Sequence, residues 1–511
     1  MKRLSLLMVG LFLSVAVSAQ NGESPISYKS LAIQTSTQNL NGDASSAATT
    51  SVSSFNGFGS FIDNPAAMAL SKGSFYTIGW FNQSNKQGNG YLDSFNTSEF
   101  SNTTFGNLGL VYKVPTEQGS FILGGGYNLI SRDSDEAFLD AFNATNSITD
   151  LFKQSGSDYS DIAFDAFATN FENDMSDEIE SVFRVDGRPA GFRGIDQFAN
   201  ISNRRSIGEI SIFASTEIQK NLFVGLSLGL MTGTINYDRN FQEVDSEDLY
   251  RDDVVPADGG NPATDIFSIT LTDDIDSDFY AFSGRAGVIF KPLSFLNLGA
   301  SITLPSKIFI TESYFSNIDT ELDDFTAFLD NSFSGEFDYA VTRPAEFKVG
   351  ATLENLGGFS FSASAKYIDY SSTKVDLTLN SVTNDLSPSD IAFLTEDEAL
   401  TNAAIGSDFA AVVNFKSHAS YELSNGVKLT AGYAFFPGKD VTFQFDETMY
   451  SGAISFPVSD QISLDISGQY STKGDRSIVY EFENNANQLI QNTISKDIER
   501  LNLIAGVKFH F

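Results

Sequence analysis

Leu501-Asn-Leu-Ile-Ala-Gly-Val-Lys-Phe-His-Phe511 closes the chain, and its reading decides the fold. Leu501, Leu503, Ala505, Val507, Phe509 and Phe511 alternate with Asn502, Ile504, Gly506, Lys508 and His510. A period of two is that of a strand with one apolar and one polar face. The same texture recurs backwards through the sequence. Val224, Leu226, Leu228 and Leu230 alternate with Gly225, Ser227, Gly229 and Met231. Phe359, Phe361, Ala363, Ala365 and Tyr367 alternate with Ser360, Ser362, Ser364 and Lys366, and Ile462, Leu464 and Ile466 with Ser463, Asp465 and Ser467.

About fourteen such runs are expected, from one near Tyr76 to the terminal one. Short turns lie at Pro115–Gln118, Gln219–Asn221, Pro292–Ser294, Asn355–Gly357, Ser424–Gly426 and Val458–Asp460. The other junctions read as long excursions, near residues 82–103, 131–204, 239–276, 314–334, 372–407, 437–447 and 472–498. Short turns on one side and long loops on the other predict an all-β fold, a transmembrane antiparallel barrel of about fourteen strands. A closed barrel leaves no unpaired strand edge in lipid. A sandwich or propeller explains the alternation but not the one-sided loops, and no blade motif repeats.

The 511 residues include 65 Asp+Glu against 31 Lys+Arg, a formal charge of −34. That charge excludes nucleic acid as a partner, because phosphate repels it. With no Cys, the chain has no disulfide framework and no thiolate metal site. Residues 131–183 and 238–278 each carry 13 acidic and 2 basic residues, and 314–338 carry 7 acidic and none basic. The wall is therefore expected to be near neutral, with the acid on a solvated rim; the alternative is divalent-cation binding at Asp245, Glu247, Asp248, Asp252 and Asp253.

At the other end, Lys2-Arg3 precede the apolar run Leu4–Val17 and the small-residue site Val17-Ser18-Ala19. Residues 1–19 read as a signal peptide, so the mature chain is exported. Residues 20–72 are small and polar, and Gly42–Leu70 closes on Phe61-Ile-Asp-Asn-Pro-Ala-Ala-Met-Ala-Leu70. By composition this is a linker; enclosed by polar inner faces it becomes a plug, or hatch, for the barrel of residues 73–511.

Within 131–204, Phe138, Leu139 and Phe142, and Phe164, Phe167 and Phe171, share helical spacings. Two short helices over the mouth are expected, with Phe138, Phe142, Phe164, Phe167 and Phe171 either packing the loop or forming an apolar capture groove. Gly124-Gly125-Gly126 interrupts the third strand, predicting a kink or a close approach of the plug. Arg285, Lys366, Lys416 and Lys428 fall on polar faces; they contact a ligand anion or pair with lumenal acids such as Glu209, Glu217 or Asp465. His418 and His510 are the only histidines, and no nucleophile motif accompanies them. The chain is not expected to be an enzyme, and it calls for no cofactor and no metal.

Two segments carry a family resemblance. The small-residue stretch ending in Asn64-Pro65-Ala66 before the first strand, and Arg343-Pro-Ala-Glu-Phe-Lys-Val-Gly350 through Ala365-Lys-Tyr-Ile-Asp-Tyr-Ser371, resemble the outer-membrane long-chain fatty-acid and hydrocarbon transporters of the FadL/TodX type. Tyr370 stands where that family's second motif has Trp. The terminal Phe511 likewise resembles the signal read by the barrel assembly machinery. The resemblance implies passive, hatch-gated uptake of fatty acids or aromatic and aliphatic hydrocarbons across the outer membrane of a Gram-negative cell. It implies lateral exit beside a kinked third strand, with Asn64, Pro65 and Ala66 in the hatch and Gly124–Gly126 at the kink. Partners on this reading are the hydrophobic solute, outer-membrane lipid and the assembly machinery, and the chain is a monomer. The competing readings are a structural or adhesin barrel and a general polar porin.

Overall fold

In the computed structural model, which describes residues 28–154, 158–171, 178–183, 192–251, 265–323, 328–379, 387–484 and 486–511, antiparallel strands close into a barrel. The signal segment, the first residues of the hatch, and Asp252 and Asp253 lie outside the described residues. The first strand (Phe75–Tyr91) pairs with the second (Ser94–Val114) and with the fourteenth (Leu489–His510), from Phe75 opposite His510 to Gly90 opposite Ser495. The terminal alternating run is thus the closing strand.

Between them run the third (Phe121–Asn143), fourth (Ile195–Gln219), fifth (Leu222–Val244) and sixth (Ile266–Leu293) strands. The next three are each broken in two. The seventh comprises Leu296–Thr303 and Ser306–Leu322, and the eighth Phe328–Arg343 and Glu346–Leu356, the breaks falling beside Pro305 and Pro344. Proline has no N–H to give a ladder and fits only such gaps. The ninth comprises Phe359–Asp369 and, after a 3₁₀ turn at Tyr370–Ser372, Lys374–Asp376. The tenth to thirteenth are Ala411–Glu422, Lys428–Phe436, Glu447–Pro457 and Ile462–Glu483. Fourteen strands make the wall.

Outward residues show which part faces lipid. On the fifth strand Leu226 and Leu228 are 64% and 65% exposed, and the outward series then turns to Thr232, Thr234, Asp238 and Asn240. On the sixth it runs Asp274, Asp276, Asp278, Tyr280, Phe282. Acid gives way to an aromatic ring at the edge of the apolar band, as interfacial girdles do. A lipid-facing band flanked by polar extensions is the profile of an outer-membrane barrel.

Where long loops were expected near 82–103, 314–334 and 472–498, strands continue beyond the band, and near 239–276 they run up to Val244 and again from Ile266. The first and second strands meet in a tight turn at Leu92-Asp93, with Leu92 at φ 48°. The reason is physical: above lipid an antiparallel ladder tolerates acidic residues on its outer face. Much of the acid therefore sits on strands, not on a flexible rim.

The excursion at 131–204 is shorter too. Phe138, Leu139 and Phe142 belong to the third strand, and among the described residues helices span Thr149–Phe152 and Asp158–Asp165, beside a small hairpin of Thr169–Phe171 and Ile179–Ser181. This segment packs across the upper end through Leu151, Phe152, Tyr159, Ile162 and Phe183 against Phe241, Ile269 and Tyr480. A buried polar node fastens it: Glu243 accepts from the Ile148 amide at 2.8 Å and from Gln197 at 2.6 Å, and Asn143 donates to Tyr480 Oη at 3.1 Å. Arg239 and Asp273 pair at 2.7 Å, and Tyr159 donates to Asp273 at 2.6 Å.

Candidate functional site

The hatch lies inside the barrel. Its course is irregular because its small residues offer no apolar face to a helix. A helix at Tyr28–Ser36 is followed by single turns at Ala44–Ala47 and Ser60–Asp63 and a 3₁₀ segment at Pro65–Leu70. Asn64, fully buried, caps that last segment by accepting from the Ala66 amide at 2.9 Å. Its side-chain amide donates to the Val52 carbonyl at 2.7 Å and reaches the Val288 and Ala300 carbonyls at 3.2 and 3.3 Å. One side chain therefore ties the hatch to itself and to the sixth and seventh strands.

The wall beneath this turn is bare at two positions, Gly225 and Gly287. A Cβ at Gly287 would lie 1.8 Å from Asn64 Oδ1, and one at Gly225 would lie 2.4 Å from the Pro65 carbonyl carbon. Glycine here is a matter of space. A close approach of the plug to a side-chain-free wall was expected at Gly124–Gly126; the approach beneath Asn64 and Pro65 is at Gly225 and Gly287.

Lumenal cations hold the hatch from the eighth, ninth and eleventh strands. Lys348 donates to the Ile62 carbonyl at 2.8 Å, Lys366 to the Gln38 carbonyl at 3.0 Å, and Lys428 to Asn56 Oδ1 at 3.3 Å. The Thr50 amide donates to His418 Nδ1 at 3.2 Å. Asp63 accepts from the Ser51 amide at 2.9 Å. Burial opposes its charge, but Lys416 and Lys348 outweigh that and hold its carboxyl below the usual range.

Lys428 apart, the cations singled out from sequence are Arg285, Lys366 and Lys416, and Arg285 is held by an acid. It pairs bidentately with Glu209, at 2.6 and 2.8 Å, and both side chains are nearly inaccessible. Lys366 is spent on the hatch backbone, and Lys416 lies over the Phe436 ring at 5.9 Å. All three, with Lys348, Glu346 and Asp63, border a cavity of about 40 Å³, room for a few waters.

The third strand provides the other half of the site. It pairs with the second only from Phe121 opposite Val114 to Asn128 opposite Asn107. Above that level the second strand stays with the first, and Ser94–Gly106 make no ladder to the third among the described residues. The third strand turns inward. Its register against the fourth breaks between Leu129 and Ser131, and Asn128–Ser131 are all buried. Gln83 and Asn85 of the first strand then donate to its Arg132 and Ser134 carbonyls.

The kink thus falls at Ile130, four residues beyond the last of the glycines expected to make it. Gly124–Gly126 lie in the paired part. Gly126 has φ +152°, and a Cβ on Gly124 would meet the Leu110 carbonyl oxygen and the Phe213 ring at 2.4 Å. They permit tight packing near Phe213, which stacks on hatch Phe61 at 5.1 Å.

Into the gap comes the hatch. The Leu40 amide donates to the Ile130 carbonyl at 3.2 Å and the Gly42 amide to the Leu129 carbonyl at 2.9 Å. A Cβ on Gly42 would lie 2.3 Å from the Gly106 carbonyl oxygen. The hatch supplies hydrogen bonds that the second strand has ceased to give.

The five aromatics at the mouth do not form one face. Phe138 and Phe142 point outward from the third strand, 39% and 50% exposed. Phe164 and Phe171 meet edge-on at 4.9 Å, and Phe167, at φ 62°, packs against the cap interior. Their helical spacing coincides with strand spacing at Phe138 and Phe142, which is why the pattern misleads there. At the lower rim His510 Nε2 lies 3.0 Å from Ser463 Oγ, exposed and with no carboxylate bonded to the ring among the described residues. Asp245 is taken by the Leu249 and Tyr250 amides, each at 2.8 Å. Sequence reasoning missed Lys348, Glu312 and Lys439, for which period-two phase was the available signal in the first two.

No family model matches the sequence, and no curated protein matches it. Solved structures do. The Pseudomonas putida toluene transporter TodX superposes with a TM-score of 0.51 at 12% identity, over 92% of this chain and 98% of that one. A Pseudomonas aeruginosa FadL homologue gives 0.51 at 9% identity, over 93% and 99%. The fold is of the FadL/TodX type.

Proposed function

We propose that this barrel, sharing its fold with a toluene transporter and a FadL homologue, admits hydrophobic small molecules through the outer membrane of a Gram-negative cell. The solute class is long-chain fatty acids or aromatic and aliphatic hydrocarbons. Passage is passive: the hatch shifts, and the solute leaves sideways between the second and third strands. One observation carries this reading, the parting of those strands above Asn107 and Asn128 with Leu40 and Gly42 closing the gap. A wall opened to the side serves a molecule that prefers lipid to water, and an aqueous pore has no use for it.

The hatch, hydrogen-bonded across the lumen to the sixth, seventh, ninth and eleventh strands, argues against a general polar porin. Deleting residues 42–68 tests the gate. Proteoliposomes carrying the deletion should take up labelled long-chain fatty acid or toluene at a changed rate, while the intact protein excludes sugars in a swelling assay. Unchanged uptake would favour an adhesin or structural barrel; sugar entry through the intact chain would favour a porin.

A further inference from the structure

The upper lumen contains an apolar compartment whose occupant is part of the chain itself. Met231, Ile275, Phe279, Ile310 and Val341 line it, and Leu31 and Ala32 of the Tyr28–Ser36 helix are buried in it. At the helix start the Tyr28 ring meets the Tyr339 ring edge-on at 5.0 Å and lies 6.2 Å from that of Phe337. These are the spacings of favourable aromatic pairs. Unlike Leu31 and Ala32, Tyr28 is only half-buried.

Glu312 sits in the same wall, 7% exposed. Its Oε2 accepts from Tyr339 Oη at 3.2 Å and Ser277 Oγ at 3.3 Å. Its Oε1 accepts no hydrogen bond, and no cation pairs with it, among the described residues. Three other buried acids are matched by cations, Glu209 by Arg285, Asp273 by Arg239 and Glu346 by Arg343, and Glu243, which has none among the described residues, is filled by amide and hydroxyl donors. A buried carboxylate with an oxygen to spare rewards a donor and repels an anion.

We propose that Phe337, Tyr339 and Glu312 form a binding site for a neutral aromatic compound bearing a hydroxyl group, held in the closed state by the hatch's own Tyr28. The inference deepens the transport reading and rests on it: the guest replaces Tyr28, and that exchange loosens the start of the hatch. Burial, with no cation beside it among the described residues, pushes the Glu312 carboxyl above its usual range; once it is ionised a fatty acid fits this site badly, because its carboxylate would face that of Glu312 across a medium that screens little.

The free form of the Tyr28 side chain is p-cresol, which is the natural probe. Equilibrium dialysis of the full-length protein in detergent at pH 9, where Glu312 is ionised, should rank p-cresol roughly 10-fold above toluene, with 4-methylbenzoate weakest, from one hydrogen bond to a charged group. Glu312→Gln should remove most of the p-cresol advantage and improve 4-methylbenzoate. Tyr28→Ala should strengthen p-cresol binding roughly 10-fold, by removing a tethered competitor. Equal binding of p-cresol and toluene, or p-cresol binding unchanged by both substitutions, overturns the proposal. If Glu312→Gln fails to fold by gel mobility, Tyr28→Ala decides, and unchanged p-cresol affinity there overturns it. Uptake of a labelled alkane without p-cresol binding would remove this site and leave transport standing; p-cresol binding without any uptake would do the reverse.

Discussion

The Gly42 amide donates to the Leu129 carbonyl at 2.9 Å, at the height where the second strand has left the third. This pair stands in for a missing rung of the wall. Any side chain on Gly42 is driven into the Gly106 carbonyl. Gly42→Leu is therefore expected to dislodge the hatch from the gap and raise entry of a hydrophobic dye into proteoliposomes, with barrel yield unchanged. Dye entry equal to the native protein would show that the contact does not control the opening.

Asn64 makes hydrogen bonds to the hatch and to two strands, and its side chain bonds only to backbone groups. Asn64→Ala should cost the seated hatch about 1–3 kcal/mol. Limited proteolysis within residues 40–60 should accelerate, while the temperature at which the barrel loses its folded gel mobility stays put. A lowered barrel temperature with unchanged hatch cleavage would assign Asn64 to the wall instead.

Arg285 and Glu209 form an ion pair with almost no access to water. Removing one charge strands the other, so Arg285→Met should destabilise by about 3–5 kcal/mol. Adding Glu209→Met should restore most of that loss. The test is the midpoint of thermal unfolding of the single and double variants; additive losses would mean the pair is not coupled.

Lys439, in the loop 437–446, donates to Thr37 of the hatch at 2.6 Å and lies 5.3 Å from the Tyr370 ring. Burial first, then Lys473 and Arg205, push its ammonium down to about 7, against partial support from Asp475 and Asp133. The seated form thus binds fewer protons than the released one, so the latch tightens as pH rises from about 7 towards the ordinary lysine value of 10.5 and is weakest at pH 7 and below. Hatch proteolysis should be slower at pH 9 than at pH 7, relative to Lys439→Met, which should lose that difference. A ratio between the two proteins that does not change with pH would rule the latch out.

Much of the wall was legible because lipid imposes strict alternation. Val224 to Leu230 and Leu501 to Phe511 point outward as their spacing requires, and Pro305 and Pro344 fall at breaks. The upper halves were not legible. Once above lipid, outward positions such as Asp274 and Asp278 are free to be polar, and strand and acidic loop then read alike. Phe138 and Phe142 show the same ambiguity from the other side, since a spacing of four suits either period. The hatch was placed by its Asn64-Pro65-Ala66 turn. Its contacts were not readable, because they depend on which lumenal residues the closed register brings together: Lys348 with Ile62, Lys366 with Gln38, Glu312 with Tyr339. The glycines at 124–126 were noticed for a real reason, close packing, but the bend at Ile130 leaves no compositional mark.

The hatch's anchors also set an order of assembly. Its partners come from nearly the whole circumference: Ser215 for Pro65, Ser301 for Asp63, Lys428 for Asn56, Gln469 for Ala47. The last of these is a contact between residues 422 positions apart. The hatch precedes the wall in the sequence, yet its seat exists only once the later strands are paired. The segment translated before the barrel is thus the last to acquire a structure, and it waits unfolded as a passenger while its own container is built around it.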